Sequence, residues 1–172
     1  EYDGPPGGSN SGHAAVYKRT PTGATSWSLI GDFYGDTNSD FFGQSVSING
    51  KGDIVAIGAH YDEPSGGSNG GAVYVYQYNS ATASWSLLGA PLTGSTNNDY
   101  YGTSLSLNHQ GNRIAVGVPR DDDGGSERGS IIVYQYNSST SSWDNLGQVV
   151  GKQNGGYFGF GVKMNKAGDR FV

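Results

Sequence analysis

The chain repeats itself with a period of about 58–59 residues, and this self-similarity constrains its fold more than any local propensity does. Phe42-Gly43 recurs as Tyr101-Gly102 and again as Phe158-Gly159. Trp27, Trp85 and Trp143 are each followed four residues later by a glycine, Gly31, Gly89 and Gly147. The segment Gly71–Tyr76 corresponds to Gly129–Tyr134 and to Gly12–Tyr17. Loops match as well: Tyr2-Asp3 with Pro5 mirrors Tyr61-Asp62 with Pro64.

One complete copy, residues 42–100, carries four strand signals. Gln44 to Ile48 alternates polar and apolar residues and ends in the turn Asn49-Gly50-Lys51-Gly52, whose residues tolerate positive φ. Ile54 to Ala59 returns as an apolar, β-branched run. Ala72 to Tyr78 sets Val73 and Val75 on one face and Tyr74, Tyr76 and Tyr78 on the other, and Trp85 to Gly89 forms the last strand. Four short antiparallel strands that are apolar on both faces describe a sheet sandwiched between neighbours, as in a β-propeller blade or a stacked array. Thirty glycines in 172 residues agree, since glycine disfavours helix interiors and marks turns. Twelve Tyr and three Trp supply the apolar surface that a disordered chain lacks.

In the repeat register Glu1 aligns with His60 and Val172 with Val55. The expected organisation is a half blade over 1–41 (third and fourth strands), complete repeats over 42–100 and 101–157, and a half blade over 158–172 (first and second strands). Propellers close with four to eight blades, so the expected fold is all-β, a tandem array of four-stranded antiparallel blades forming an incomplete propeller or a fragment of one. Either the chain is part of a longer repeat protein, or copies of it assemble and the halves complete one another.

The recurring string, aromatic-Gly-x-Ser-Val/Leu-Ser followed by an apolar strand and Gly-Ala or Gly-Val, resembles the FG-GAP repeat family, the blade unit of integrin α-type propellers. It is most similar to arrays of such repeats in secreted and surface proteins. Phe42-Gly43 with Ile57-Gly58-Ala59, and Tyr101-Gly102 with Val116-Gly117-Val118, carry the resemblance. It implies an extracellular or cell-surface location and, in many members, Ca²⁺ bound in an Asp-rich hairpin. The matching hairpins here, Asn49–Asp53, Asn108–Asn112 and Asn165–Asp169, offer at most one carboxylate each, whereas calcium takes six to eight oxygens; they read as plain turns. A separate acidic loop, Asp121, Asp122 and Asp123 with Glu127 nearby, is the candidate Ca²⁺ site. Flanked by Arg120 and Arg128, it also reads as a solvated loop tip. No other cofactor is expected.

A net charge of −5 with ten scattered cations argues against nucleic acid as a partner, and no apolar run reaches the ~20 residues of a membrane helix. With no cysteine there is no thiolate chemistry or disulfide. His13, His60 and His109 fall at non-equivalent repeat positions, and the nucleophile-elbow and phosphate-loop motifs are absent; no enzyme is expected. The Trp residues and the pairs Phe41-Phe42, Tyr100-Tyr101 and Tyr157-Phe158 fit inter-blade packing, with sugar-stacking platforms as the alternative. The Ser/Thr-rich loops Thr20–Ser26, Asn79–Ser84 and Asn137–Ser142 suit short turns or O-glycosylation, and Asn137-Ser138-Ser139 is an N-glycosylation sequon.

The expected function is that of a structural or adhesive repeat module without catalysis, partnered by neighbouring repeats or copies of itself and by extracellular glycans or proteins. Assembly into an array or filament follows from the complementary half blades. A carbohydrate-binding propeller is the alternative, and a fragment of a propeller hydrolase the second.

Overall fold

A computed structural model describes residues 8–19, 26–63 and 69–172. The Tyr2-Asp3 loop, most of the Thr20–Ser26 loop and Pro64 lie outside the described residues. Eleven strands and no helix are present among them. No helix is therefore long and apolar enough to cross a membrane, which leaves membrane β-barrels unaddressed.

β1 (His13–Arg19) and β2 (Trp27–Tyr34) form a two-stranded antiparallel sheet. The second sheet orders β3 (Ser45–Ile48), β4 (Ile54–Ala59), β5 (Ala72–Asn79) and β6 (Ser84–Leu87), with β7 (Leu92–Thr93) also on β5. The third orders β8 (Ser104–Leu107), β9 (Arg113–Val118), β10 (Ser130–Asn137) and β11 (Ser142–Val150). After β11, the first and second strands expected over 158–172 reduce to a bridge between Met164 and Phe171. This pair has no third strand beside it to extend the ladder.

The hairpins between first and second strands explain the missing calcium carboxylates. Asn49 Oδ1 accepts from the amides of Asp53 and Ile54, and its Nδ2 donates to Asp53 Oδ1 at 2.7 Å. Asn165 does the same with Asp169 and Arg170, and Asn108 accepts from the Arg113 amide while its Nδ2 donates to Asn112 Oδ1. An amide group thus occupies the centre of each loop and satisfies its backbone donors.

Packing between sheets follows the alternation along β5. Val73 and Val75 join Ile54 and Ala56 against Leu105, Leu107, Ile114 and Val116 of the third sheet. On the opposite face Tyr74 and Tyr76 pack with Val55 and Ile57 against Ala14, Val16 and Phe33 of the first. Ala115 and Ile131 on the third sheet's outer face meet Val162, Met164 and Phe171. The Trp side chains tie neighbours together: Trp85 Nε1 donates to the Ile30 carbonyl and Trp143 Nε1 to the Leu88 carbonyl, both at 2.8 Å. The glycine four residues after Trp lies opposite an irregularity in the ladder, Gly31 facing Val16 and Gly147 facing Val133, where a bulge adds twist.

Candidate functional site

The aromatic pairs divide into two populations. In the first two pairs the second member turns inward, Phe42 and Tyr101 being buried, whereas Phe158 of the third pair is exposed. The first members, Phe41, Tyr100 and Tyr157, have φ of 54°, 60° and 48°, a left-handed conformation unfavourable for bulky side chains. A turn holds them there. The amides of Gln44, Thr103 and Phe160 donate to the carbonyls of Phe41, Tyr100 and Tyr157, closing four-residue turns with Gly43, Gly102 and Gly159 at the third position, where φ is 84° to 92°. That position of a type II turn calls for glycine, which is why an aromatic-Gly step opens every repeat.

The outward aromatics form a ladder across the repeat boundaries. Tyr61 lies 5.2 Å from Phe41 and 4.9 Å from Tyr100 between ring centroids, and His60 packs edge-on to Tyr61 and Tyr100. At the next junction the repeat substitutes Arg120 for Tyr61 and Pro119 for His60. The Arg120 guanidinium sits 4.4 Å from the centre of the Tyr100 ring and donates to its hydroxyl. Glu127 stands 3.7 Å from Arg120 and accepts from the Tyr157 hydroxyl at 2.8 Å. Beside this junction a cleft of about 480 Å³ opens among residues of three repeats, including His60, Tyr100, Thr103, Arg120, Tyr157 and Phe160.

Behind the ladder lie the acidic side chains. Asp121, proposed above as a calcium ligand, is buried and accepts from the Ser130 hydroxyl, Gln148 Nε2 and the Asp123 amide. Asp122 accepts from the Glu127 amide, and Asp123 from Gln148. These carboxylates order their own loop. The group of three whose oxygens converge, within 4.8 Å of one another, is instead Asp36, Asp40 and Asp62, the only such group found among the described residues. These three could together supply carboxylate oxygens to a hard cation. The signal that could have revealed them is the Asp immediately before each of the first two aromatic pairs, Asp40 and Asp99.

Burial raises the pKa of Asp40 and Asp62, while bonds from Thr37 and Tyr74 pull the other way. Asp99, the repeat counterpart of Asp40, is pushed up to about 6 by burial and by the carboxylates of Asp121, Asp122 and Asp123. A carboxyl whose folded pKa is raised stabilises the fold below its unfolded value, 3.8, and that stabilisation is lost as pH rises through about 6. Asp99→Asn is therefore expected to stabilise the protein at neutral pH by about 1–2 kcal/mol, with the difference from wild type vanishing toward pH 4. Urea unfolding of both proteins across this range measures it; a difference independent of pH would contradict the assignment.

The histidines do different things. His13 Nε2 bonds Asp32 across the β1–β2 ladder, and the Tyr34 hydroxyl donates to the same carboxylate at 2.8 Å. This trio sits on an exposed face, where it ties two strands together. His60 lines the cleft, its pKa lowered by burial. The His109 backbone stitches the hairpins, its carbonyl accepting from Gly50 and its amide donating to Lys166. Asn137, the sequon residue, ends β10 and spends its amide on Asp144 in an exposed hairpin.

Comparison with known proteins agrees with this architecture. Residues 34–76 match the FG-GAP repeat model. Among solved structures, Sqt1 of Saccharomyces cerevisiae, a WD40 propeller, superposes with a TM-score of 0.54 over 84% of this chain at 16% identity. The chain spans 32% of the length of Sqt1, and the likeness shows the fold alone. A search of the curated proteins finds no match. With its aromatic-Gly turns and stacked antiparallel sheets that do not close into a barrel, this all-β chain has the fold of an incomplete propeller, and its segment 34–76 is similar to the FG-GAP repeat.

Proposed function

We propose that the chain is a non-catalytic structural and adhesive module outside the cell, one that stacks through its sheet faces with further copies of its own repeat. The observation that supports this reading is a mismatch between equivalent positions. Leu105 and Leu107 are each 7% exposed against the preceding sheet, whereas their counterparts Val46 and Ile48 are 58% and 50% exposed. They line a groove with Val55, Ile57 and the inner residues of β1, where β1 and β2 cover only half of the facing sheet. On the far side, residues 162–171 cover part of the third sheet, while Leu146 and Val149 stay exposed. Exposed apolar faces and free strand edges of this kind favour association.

Light scattering over a range of concentrations tests the proposal. The wild-type chain is expected to gain molar mass with concentration, and a Val46→Lys/Ile48→Lys variant, altered only at exposed positions, to remain monomeric. Monomers for both proteins throughout would overturn it. Asn137 stands on an exposed hairpin where an attached glycan would leave both sheet faces clear.

A further inference from the structure

We propose that the cleft beside Tyr100 binds a neutral pyranose sugar of a glycan, a role that the stacking reading above does not require. Three observations carry it. Phe160 is 72% exposed at the cleft wall, an apolar ring left open to water among the described residues. The His60 ring lines the same cleft, and its Nδ1 atom is buried with no hydrogen-bond partner. The cleft's other groups are held in advance: Tyr157 by Glu127, Arg120 by Tyr100 and Glu127, and Thr103 by donating to the Tyr100 carbonyl at 2.7 Å.

The chemistry of these groups selects the ligand. A pyranose presents an apolar C–H face, which suits the exposed rings of Phe160 and Tyr157, and a rim of hydroxyls that both donate and accept. Arg120 has guanidinium N–H groups beyond those already engaged, the Thr103 oxygen retains acceptor capacity, and neutral His60 offers a donor or an acceptor according to its tautomer. A phosphate or sulfate would meet one cation already partly balanced by Glu127. A purely apolar ligand would leave the Arg120 and His60 groups unsatisfied. The volume falls in the range of small-molecule sites. The first junction serves as an internal comparison: there Tyr61 stacks between Phe41 and Tyr100, placing a ring where the second junction has Arg120.

Saturation-transfer NMR of the whole 172-residue chain tests the proposal, using methyl glycosides of glucose, galactose, mannose and N-acetylglucosamine and their β-linked trisaccharides. At least one sugar is expected to bind saturably with a Kd of roughly 1 mM or tighter. Phe160→Ser and Arg120→Ala should each weaken it at least fivefold, with melting temperatures near wild type, while Val46→Lys leaves it unchanged. Phe160 is a surface residue, so its variant keeps the test valid if Arg120→Ala misfolds. No saturable binding by any of these probes, or binding indifferent to Phe160→Ser, would overturn the proposal. So would saturable binding of a cationic peptide at this site while none of the sugars binds. Stacking of copies, read separately by light scattering, stands or falls independently.

Discussion

Gly71→Val is expected to destabilise the chain by at least about 3 kcal/mol, the largest effect of any glycine substitution named here. Gly71 has φ of +83°, and a Cβ built there would lie 2.2 Å from the Tyr101 carbonyl oxygen and 2.8 Å from its nitrogen. Both are backbone atoms of the next repeat, so no side-chain rotation relieves the overlap. The Tyr101 amide donates to the neighbouring Gly70 carbonyl, so the chains cannot separate without losing a buried bond. A β-branched side chain adds the cost of a left-handed backbone. The same approach recurs at Gly12 against Phe42 and Gly129 against Phe158, each at 2.2 Å from a carbonyl oxygen, where it forms parallel bridges. Gly161 offers a control, since a Cβ there meets nothing within 4 Å; Gly161→Ala should stay within about 0.5 kcal/mol of wild type. Urea midpoints compare them, and equal midpoints for Gly71→Val and Gly161→Ala would refute the close-approach argument.

Tyr101→Ala should cost about 3–5 kcal/mol, the range for removing a large buried aromatic. Tyr101 is 2% exposed and is the largest fully buried side chain among the described residues. It belongs to the cluster that joins Val73, Val75 and Leu92 of the second sheet to Leu105 and Val116 of the third. Its loss opens a cavity at the interface that holds the two complete sheets together, so unfolding should lose cooperativity as well as midpoint. Phe160→Ala, at a solvent-facing position, should change stability by less than about 0.5 kcal/mol. Thermal unfolding followed by near-UV circular dichroism separates the two; a loss below about 1 kcal/mol at Tyr101 would mean that the sheets pack without it.

Much of the architecture was legible before any coordinates. Alternation along Ala72–Tyr78 assigned Val73 and Val75 to one neighbour and Tyr74 and Tyr76 to the other, and the clusters divide in that way. This is legible because the side-chain period of a strand is two and both faces of an inner sheet must be covered. The Asn–Gly hairpins were equally readable, since turn chemistry is local. The aromatic pairs were not: two adjacent rings carry one composition signal, yet Tyr101 is core and Tyr100 is half-buried at the cleft. Their separation depends on a left-handed residue before a type II turn, a conformation that sequence does not advertise for Phe or Tyr. The meeting of acidic residues was not legible in their spacing either. Asp121, Asp122 and Asp123 are consecutive but serve their own loop, whereas Asp36, Asp40 and Asp62 converge from two repeats.

The sequence by itself determined the repeat, the strand order within it and the turns that close it, because each of these rests on contacts between residues near in the chain or on a periodicity of two. Only the tertiary structure decided which aromatics face water, which carboxylates meet and where a cleft opens. Those properties arise at the junctions between repeats, where Arg120 stands at the position equivalent to Tyr61 and lines the cleft, while Tyr61 stacks on Tyr100. A junction brings together side chains some 40 to 60 positions apart in the chain, as Tyr61 with Tyr100 or Ser45 with Gly102, and no local pattern encodes the angle at which two sheets stack.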